Sequence, residues 1–228
     1  MFGMDTKPII VYVDRNRLQF YGGKLSSIMT LDIPGALLQD LEVNNLDGLY
    51  TLVNQWVKQN GLGGNRLFFV LGPSTYFEKV IMSTTDTEQE TEILKFYDMV
   101  PFEELLTKVI SEGPTAPKKA FATNSAYVEA FRHAFLLQGI HVVGVVPAMV
   151  LGPLASKRWM DAEMGSYILK HIDVLLGQSI VDVEEQGQMV NSPAPSAPNS
   201  KNNPRLMIMV GILGVLLLVL IFYAFIHH

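Results

Sequence analysis

The stretch IIVYVDRNRLQFYGGKLSSIMTLDI, residues 9–33, decides the fold. It contains three runs rich in β-branched and aromatic residues, at Ile9–Asp14, Leu18–Tyr21 and Leu25–Ile33. The turn-like Arg15-Asn16-Arg17 separates the first two runs, and Gly22-Gly23 between the second and third is typical of a hairpin turn. Three strands joined by tight turns predict an antiparallel meander at the start of the domain.

The hydrophobic period changes after this meander. Apolar residues at helical spacing predict a helix from Asn45 to Gln59, which the glycines from Gly61 onward end. Further helices are predicted at Asp86–Asp98 and from Asn124 or Ser125 to Gln138. The core residues predicted for the second of these are Tyr127, Val128, Phe131, Ala134, Phe135, Leu136 and Leu137. Strands are predicted at Arg66–Leu71, from about Leu106, at Lys119–Thr123 and at Ile140–Val146. Residues 76–82 fit either a strand or a helical turn, and residues 148–178 read as mostly helical with a break near Gly152-Pro153. We therefore expect an α/β fold with a mixed sheet.

A second decisive stretch lies at Leu206–Ile226, LMIMVGILGVLLLVLIFYAFI, which has no charged residue. At about 1.5 Å per residue, such a helix reaches roughly 30 Å, the thickness of a bilayer's hydrocarbon core. A buried core helix is the less favoured alternative, because core helices rarely run this long without a polar face. Lys201 and Arg205 precede the stretch, which by the positive-inside rule keeps the N-terminal side in the cytoplasm. The sequence predicts a single-pass anchor in the cytoplasmic (inner) membrane, with no N-terminal signal peptide.

The anchor and the α/β domain are joined by a segment of different composition. Residues 184–205, EEQGQMVNSPAPSAPNSKNNPR, are rich in Pro, Ser, Asn and Gln and contain almost no large apolar side chain. Such a segment cannot bury enough surface to offset the entropy of ordering it. We predict a cytoplasmic domain at residues 1–183, a disordered linker at 184–205 and a transmembrane helix at 206–226.

Composition excludes several kinds of site. The chain has no cysteine, which rules out disulfides and thiolate metal ligands, and its net charge of −5 argues against nucleic-acid binding. His133, His141 and His171 are scattered and predict no metal site. The glycine run that begins at Gly61 follows a helix, so it indicates a helix end and not a phosphate-binding loop. No cofactor is predicted.

The order of elements resembles the first subdomain of actin-like ATPases of the ribonuclease H-like class. It is similar in particular to the type IV pilus assembly protein PilM and the cytoplasmic part of the type II secretion protein GspL. Two further segments carry this resemblance, TEQETEILKFYDMVPFEELL and KKAFATNSAYVEAFRHAFLLQGIHVVGVVPAMVLGPLA. The resemblance covers about Ile9 to Ala155 and implies an actin-like half-fold.

The departures from the family decide the expected function. In the family, a hairpin of glycine and Ser/Thr follows the first strand and wraps the nucleotide phosphates. Here Asp14 matches the acidic residue, but Arg15-Asn16-Arg17 replaces the small residues, and about 28 residues between Ala155 and the linker leave no room for the second half of the fold. The resemblance then implies a non-catalytic, membrane-anchored scaffold whose partners are other pilus or secretion assembly proteins. The alternative is a nucleotide-binding, actin-like ATPase component that uses Asp14 and Lys24.

A docking surface is predicted next to Pro101. Tyr97, Met99, Val100 and Phe102 form an apolar centre, and Asp98, Glu103 and Glu104 form a charged rim, as in a recognition patch. The alternative is that these side chains pack beneath the preceding helix. Homo-oligomer formation is left open.

Overall fold

A computed structural model describes residues 7–111 and 117–181, which form an α/β fold around a mixed five-stranded sheet. The strands are β1 (Ile9–Asp14), β2 (Arg17–Tyr21), β3 (Met29–Asp32), β4 (Leu38–Gln39), β5 (Glu42–Val43), β6 (Arg66–Leu71), β7 (Phe77–Val80), β8 (Leu105–Ile110), β9 (Lys119–Asn124) and β10 (His141–Pro147). The helices are α1 (Leu46–Asn60), α2 (Asp86–Asp98), α3 (Ser125–Leu136), α4 (Ala162–Lys170) and α5 (Ile172–Leu176), with 3₁₀ segments at Pro73–Thr75 and Ala148–Ser156.

The five-stranded sheet has the order β10-β6-β1-β2-β3. β1, β2 and β3 pair antiparallel, which confirms the predicted meander. β6 pairs with β1 in parallel, and β10 pairs with β6 in parallel. The third strand is shorter than predicted because the turn extends into it, with the Leu25 N–H donating to the Gly22 carbonyl at 3.1 Å. The mixed sheet that the sequence indicates is therefore present.

Both faces of this sheet are covered. One face packs against α1 and α3, and the other packs against the 3₁₀ segment Ala148–Ser156 together with α4 and α5. Alternate residues of β1 contribute to the two cores, with Val11 in the first and Tyr12 in the second. Gly165 lets α4 lie directly on the ring of Tyr21, because a Cβ at this position would overlap that ring.

A second, three-stranded antiparallel sheet has the order β7-β9-β8. Helix α2 packs on one of its faces, where Phe96 and Val100 meet Ala120 and Ala122 of β9. The other face turns Phe121 into the main core. This sheet therefore joins the α2 layer to the rest of the fold.

The predicted helices and strands are largely present, with several corrections. Residues 76–82 contain a strand, β7, which is one of the two predicted alternatives, whereas the two-residue strands β4 and β5 were not predicted. Helix α3 ends at Leu136, two residues earlier than expected, and Leu137 is 54% exposed, so its placement in the core was wrong. Leu136 is only partly buried. The predicted break near Gly152 is confirmed by its non-helical backbone, with φ of 59°.

The membrane prediction concerns residues that lie outside the described ranges. Among residues 7–111 and 117–181, no helix has both the length and the apolar character needed to cross a membrane. The predicted span Leu206–Ile226, the linker at 184–205 and the domain boundary at Val183 all fall outside those ranges and stay predictions.

Phe135 offers a test of the core. Its ring is fully buried and lies 6.1 Å from the ring of Phe20 and 6.0 Å from that of Phe69. Phe135→Ala should lower the stability by about 3–5 kcal/mol, because it removes these contacts and leaves a cavity. In a thermal melt of the full chain in detergent, this corresponds to a fall of Tm by roughly 10 °C or more.

The matched control is Leu137→Ala at the exposed end of the same helix, which should leave Tm nearly unchanged. Equal effects of the two variants would contradict the described packing of α3.

Candidate functional site

The candidate site lies where three parallel strands end. β1, β6 and β10 run in the same direction, so their carboxyl ends meet at one edge of the sheet. Ligands of open α/β sheets bind at this edge. Here it is formed by Asp14 at the end of β1, the Gly72–Thr75 loop after β6, and the 3₁₀ segment after β10.

Asp14 is buried, with 8% of its surface exposed, and one of its two carboxylate oxygens, Oδ1, accepts hydrogen bonds within the chain. Its Oδ1 accepts hydrogen bonds from the Arg15 backbone N–H, at 2.9 Å, and from the Ser74 hydroxyl. Its backbone carbonyl accepts from the Tyr127 hydroxyl at 2.8 Å. Asp14 therefore ties the end of β1 to the loop after β6 and to helix α3.

The side chain of Arg15 reinforces this connection. Its Nε donates to the Ser74 carbonyl at 3.0 Å, and its Nη1 lies 4.0 Å from the Asp40 carboxylate. The β1–β2 turn is thus held against the loop after β6 by the side chain of Arg15. A cavity of about 390 Å³ beside the turn is lined by Asp14, Arg15, Asn16, Pro73, Ser74, Ser156, Arg158 and Trp159.

Trp159 brings two guanidinium groups together at the rim of this cavity. The Cζ atoms of Arg17 and Arg158 lie 4.9 Å and 5.0 Å from its ring centroid, within the range of cation–π contacts. Arg17 is also paired with Asp32, at 2.5 Å. A neighbouring cavity of about 520 Å³ opens between the 3₁₀ segment and the small sheet, and it is lined in part by Tyr76, Glu78, Lys119 and Met149.

Three buried tyrosines surround the site. Burial raises the pKa of Tyr12, Tyr76 and Tyr127 above the ordinary value of a phenol, and the Asp14 carboxylate raises those of Tyr12 and Tyr127 further. All three are therefore neutral at physiological pH. Tyr12 donates to the Lys157 carbonyl at 2.8 Å, so its hydroxyl fixes the chain that covers the second face of the sheet. Their hydroxyls act as structural hydrogen-bonding groups.

Lys24, the second residue of the predicted nucleotide site, lies elsewhere. The register of β1 and β2 pairs Asp14 with Arg17 at one end of the hairpin and Ile10 with Tyr21 at the other. Lys24 follows Tyr21 by three residues and is exposed beyond that second end. The structure does not bring Asp14 and Lys24 together.

The four residues of the predicted docking patch also separate. Val100 is 7% exposed and packs with α2, while Phe102 is partly buried with its ring centroid 6.1 Å from that of Phe77. Tyr97 is partly buried and hydrogen-bonded to the Thr107 side chain. Met99 is 69% exposed. The four side chains do not form one exposed surface.

Other candidate ligands are dispersed as well. Within residues 7–111 and 117–181, no group of three His, Asp or Glu side chains is close enough to hold a metal ion. His133 lies with its ring centroid 5.3 Å from that of Tyr50, and His171 lies 4.2 Å from Tyr167. Both histidines make packing contacts on helix surfaces.

Sequence reasoning missed Ser74, Tyr127 and Trp159. Ser74 follows a Gly-Pro pair directly after a buried parallel strand, and that position could have marked it as part of the edge. Tyr127 looked like an ordinary core residue of a helix, and nothing in the sequence around Trp159 indicated its two arginine neighbours.

No protein-family model and no curated protein matches the chain. Solved structures do match. One, described as the PilM–PilN type IV pilus biogenesis complex, has a TM-score of 0.44 and 14% identity over 63% of this chain and 48% of that one. Another is the cytoplasmic domain of EpsL, an inner membrane component of the type II secretion system of Vibrio cholerae, with a TM-score of 0.37 and 11% identity over 64% of this chain and 58% of that one.

A third structure is a Bacteroides thetaiotaomicron protein with an actin-like ATPase fold and unknown function, with a TM-score of 0.39 and 6% identity over 65% of this chain and 55% of that one. These three structures match the resemblance to PilM, to a type II secretion component and to actin-like proteins that the sequence indicates. The chain spans 48%, 58% and 55% of their lengths. Likenesses of this degree carry no information on activity or partners.

Tyr127→Phe tests the anchoring of Asp14. At neutral pH the variant should be less stable by about 1 kcal/mol, because the Asp14 carbonyl loses a buried hydrogen bond. The sign of the pH dependence follows from the raised pKa of Tyr127. Its contribution is complete below the ordinary pKa of an unfolded tyrosine, about 10, and is lost as the pH rises further, because the unfolded chain then releases the proton.

The difference in stability between the wild type and Tyr127→Phe should therefore shrink above pH 10 in denaturant titrations of the full chain. A difference that grew with pH would contradict the described burial of this hydroxyl.

Proposed function

We propose that the chain is a non-catalytic docking protein, anchored by residues 206–226 in the cytoplasmic membrane, in an assembly of the type IV pilus or type II secretion kind. The α/β domain is the working part and faces the cytoplasm. The assembly context rests on the sequence resemblance over Ile9–Ala155, and the anchor rests on the apolar stretch Leu206–Ile226.

The main support for the proposal is the set of hydrogen bonds that the Asp14 carboxylate accepts. A nucleotide with its magnesium ion at this edge needs a carboxylate oxygen that can turn to the metal-bound water, and backbone N–H groups open to phosphate. Here the Asp14 Oδ1 accepts from Ser74 and Arg15, and the Arg15 side chain crosses to the Ser74 carbonyl. These contacts support a structural role for the edge.

The covering of the central sheet supports the same conclusion. Tyr12 and Ile10 face a core built from α4, α5 and the preceding 3₁₀ segment, all from this chain. The central sheet therefore needs no second lobe to bury its faces. A self-contained domain of this kind suits presentation of a surface to a partner.

The alternative, a nucleotide-binding component that uses Asp14 and Lys24, requires both side chains at one ligand. Their positions at opposite ends of the β1–β2 hairpin weigh against it.

Calorimetry with Mg-ATP separates the two functions. Titration of the full chain in detergent should give no heat of binding up to millimolar nucleotide, because Ser74 and Arg15 hold the Asp14 Oδ1 and the Arg15 side chain crosses the turn to the Ser74 carbonyl. The variant Asp14→Asn should behave in the same way. Binding by the wild type that Asp14→Asn or Lys24→Ala removed would overturn the proposal in favour of the ATPase alternative.

A further inference from the structure

Among the residues that the structure describes, strand β8 lies at an edge of the small sheet. The order of this sheet is β7-β9-β8, so within residues 7–111 and 117–181 the strand β8 pairs only with β9. The outward N–H and C=O groups of an edge strand are a template on which another extended chain can add.

Helix α2 lies beside this edge. Thr107 and Val109 pair with Ala122 and Ala120, so they share the face on which α2 packs. The hydrogen bond between Tyr97 and Thr107 places α2 beside β8, and Leu94 lies one helical turn before Tyr97. We call Leu94, Tyr97, Thr107 and Val109 the α2–β8 groove.

Two apolar residues of this groove are exposed to solvent. Leu94 is 56% exposed and Val109 is 40% exposed. They flank the partly buried ring of Tyr97, a residue type enriched at binding interfaces. An extended chain along β8 would cover both apolar side chains and pair its backbone with the strand edge.

The charge around the groove selects the partner. Glu90 and Asp98 are exposed, and each lies one turn of α2 from Leu94. Residues 86–104 contain one basic residue, Lys95, and seven acidic ones, Asp86, Glu88, Glu90, Glu92, Asp98, Glu103 and Glu104, of which Glu92 is paired with Lys79 at 3.3 Å. A basic segment is attracted to this rim, and an acidic segment is repelled.

We propose that the α2–β8 groove binds an extended, basic segment of a partner protein, which adds to β8 as a fourth strand of the small sheet. The inference rests on the proposed docking function and names its surface. Apolar side chains on the face of the segment that meets α2 cover Leu94 and Val109, and lysine or arginine side chains at the two ends of that same face pair with Glu90 and Asp98.

A second copy of the chain is the main competing occupant. Symmetric pairing of β8 with β8 would bring two α2 helices, both acidic, to the same interface. Such a contact juxtaposes like charges, which costs free energy. Charge therefore favours a basic partner over self-association.

The groove also revises the docking patch predicted from sequence. Tyr97 belongs to both surfaces, whereas Val100 and Phe102 pack inward and serve the fold. We therefore place the docking surface at the outer edge of β8 and not at the Pro101 turn.

The test uses a labelled probe peptide, acetyl-KTVKVKVTK-amide, and the full chain in a neutral detergent, with fluorescence anisotropy as the readout. The wild type should bind the probe, and a version with glutamate in place of lysine should not bind. Val109→Lys should weaken binding by about tenfold or more, since it places a charge in the apolar groove and repels the basic probe. The matched control is Val80→Lys, because Val80 is 42% exposed on the opposite edge strand β7, and it should leave binding within about twofold.

A second pair of variants tests the groove independently, in case Val109→Lys does not fold. The double change of Glu90 and Asp98 to lysine should also weaken probe binding, while Asp173→Lys, an exposed change on α5, should not. Hydrogen exchange measured by mass spectrometry should slow in residues 105–110 on binding and stay unchanged in residues 77–80. Circular dichroism melts check that each variant is folded.

Three outcomes would each contradict binding at the groove. They are absence of probe binding, binding that neither Val109→Lys nor the double change of Glu90 and Asp98 weakens, and slowed hydrogen exchange in β7 in place of β8. Dimerisation through β8 in the absence of peptide, abolished by Val109→Lys, would assign the edge to a second copy instead. The calorimetric test with Mg-ATP is independent of these outcomes, so failure of the groove is distinguishable from failure of the docking function.

Discussion

The burial of strand β1 is the constraint on which the rest of the structure depends. All six residues from Ile9 to Asp14 are buried, and the strand lies between β2 and β6 in the middle of the sheet. Because its side chains alternate between two faces, each face must be covered by another layer. Helices α1 and α3 cover one face, and α4 and α5 cover the other. Helix α4 comes so close to the ring of Tyr21 that a side chain at position 165 would overlap it, and this position is a glycine.

The same constraint shapes the carboxyl edge. β1 stays buried up to Asp14, so its polar groups need partners inside the fold, and Ser74 and Tyr127 provide them. The loop after β6 is fixed in turn to the small sheet, since the Thr123 hydroxyl donates to the Thr75 carbonyl at 2.6 Å. The edge that holds a ligand in many α/β proteins is here a junction between two sheets. A junction of this kind holds the small sheet and its α2–β8 groove in a fixed position, as a docking surface requires.

The parts of the fold that could be predicted are those coded by local patterns. The meander of β1 to β3 follows from period-two runs and glycine turns, and α1 follows from its spacing and its terminal Gly61. The site depends on pairs that are distant in sequence: Asp14 meets Ser74 and Tyr127, and Trp159 meets Arg17. No single-sequence pattern indicates such pairs. The apolar run around Pro101 had the composition of a docking patch, but packing against α2 places Val100 inside. The exposed apolar residues of the groove that we propose lie on two elements that only the fold brings together.

The central claim is that this chain by itself covers both faces of the sheet around β1, and fragment stability tests it most directly. A fragment of residues 1–183, without the linker and predicted span, should be soluble and unfold in a single cooperative transition. A fragment of residues 1–156 lacks α4 and α5 and leaves the Ile10 and Tyr12 face uncovered, so it should aggregate or melt without cooperativity. An aggregated or non-cooperative 1–183 fragment, or equal stability of the two fragments, would contradict the account.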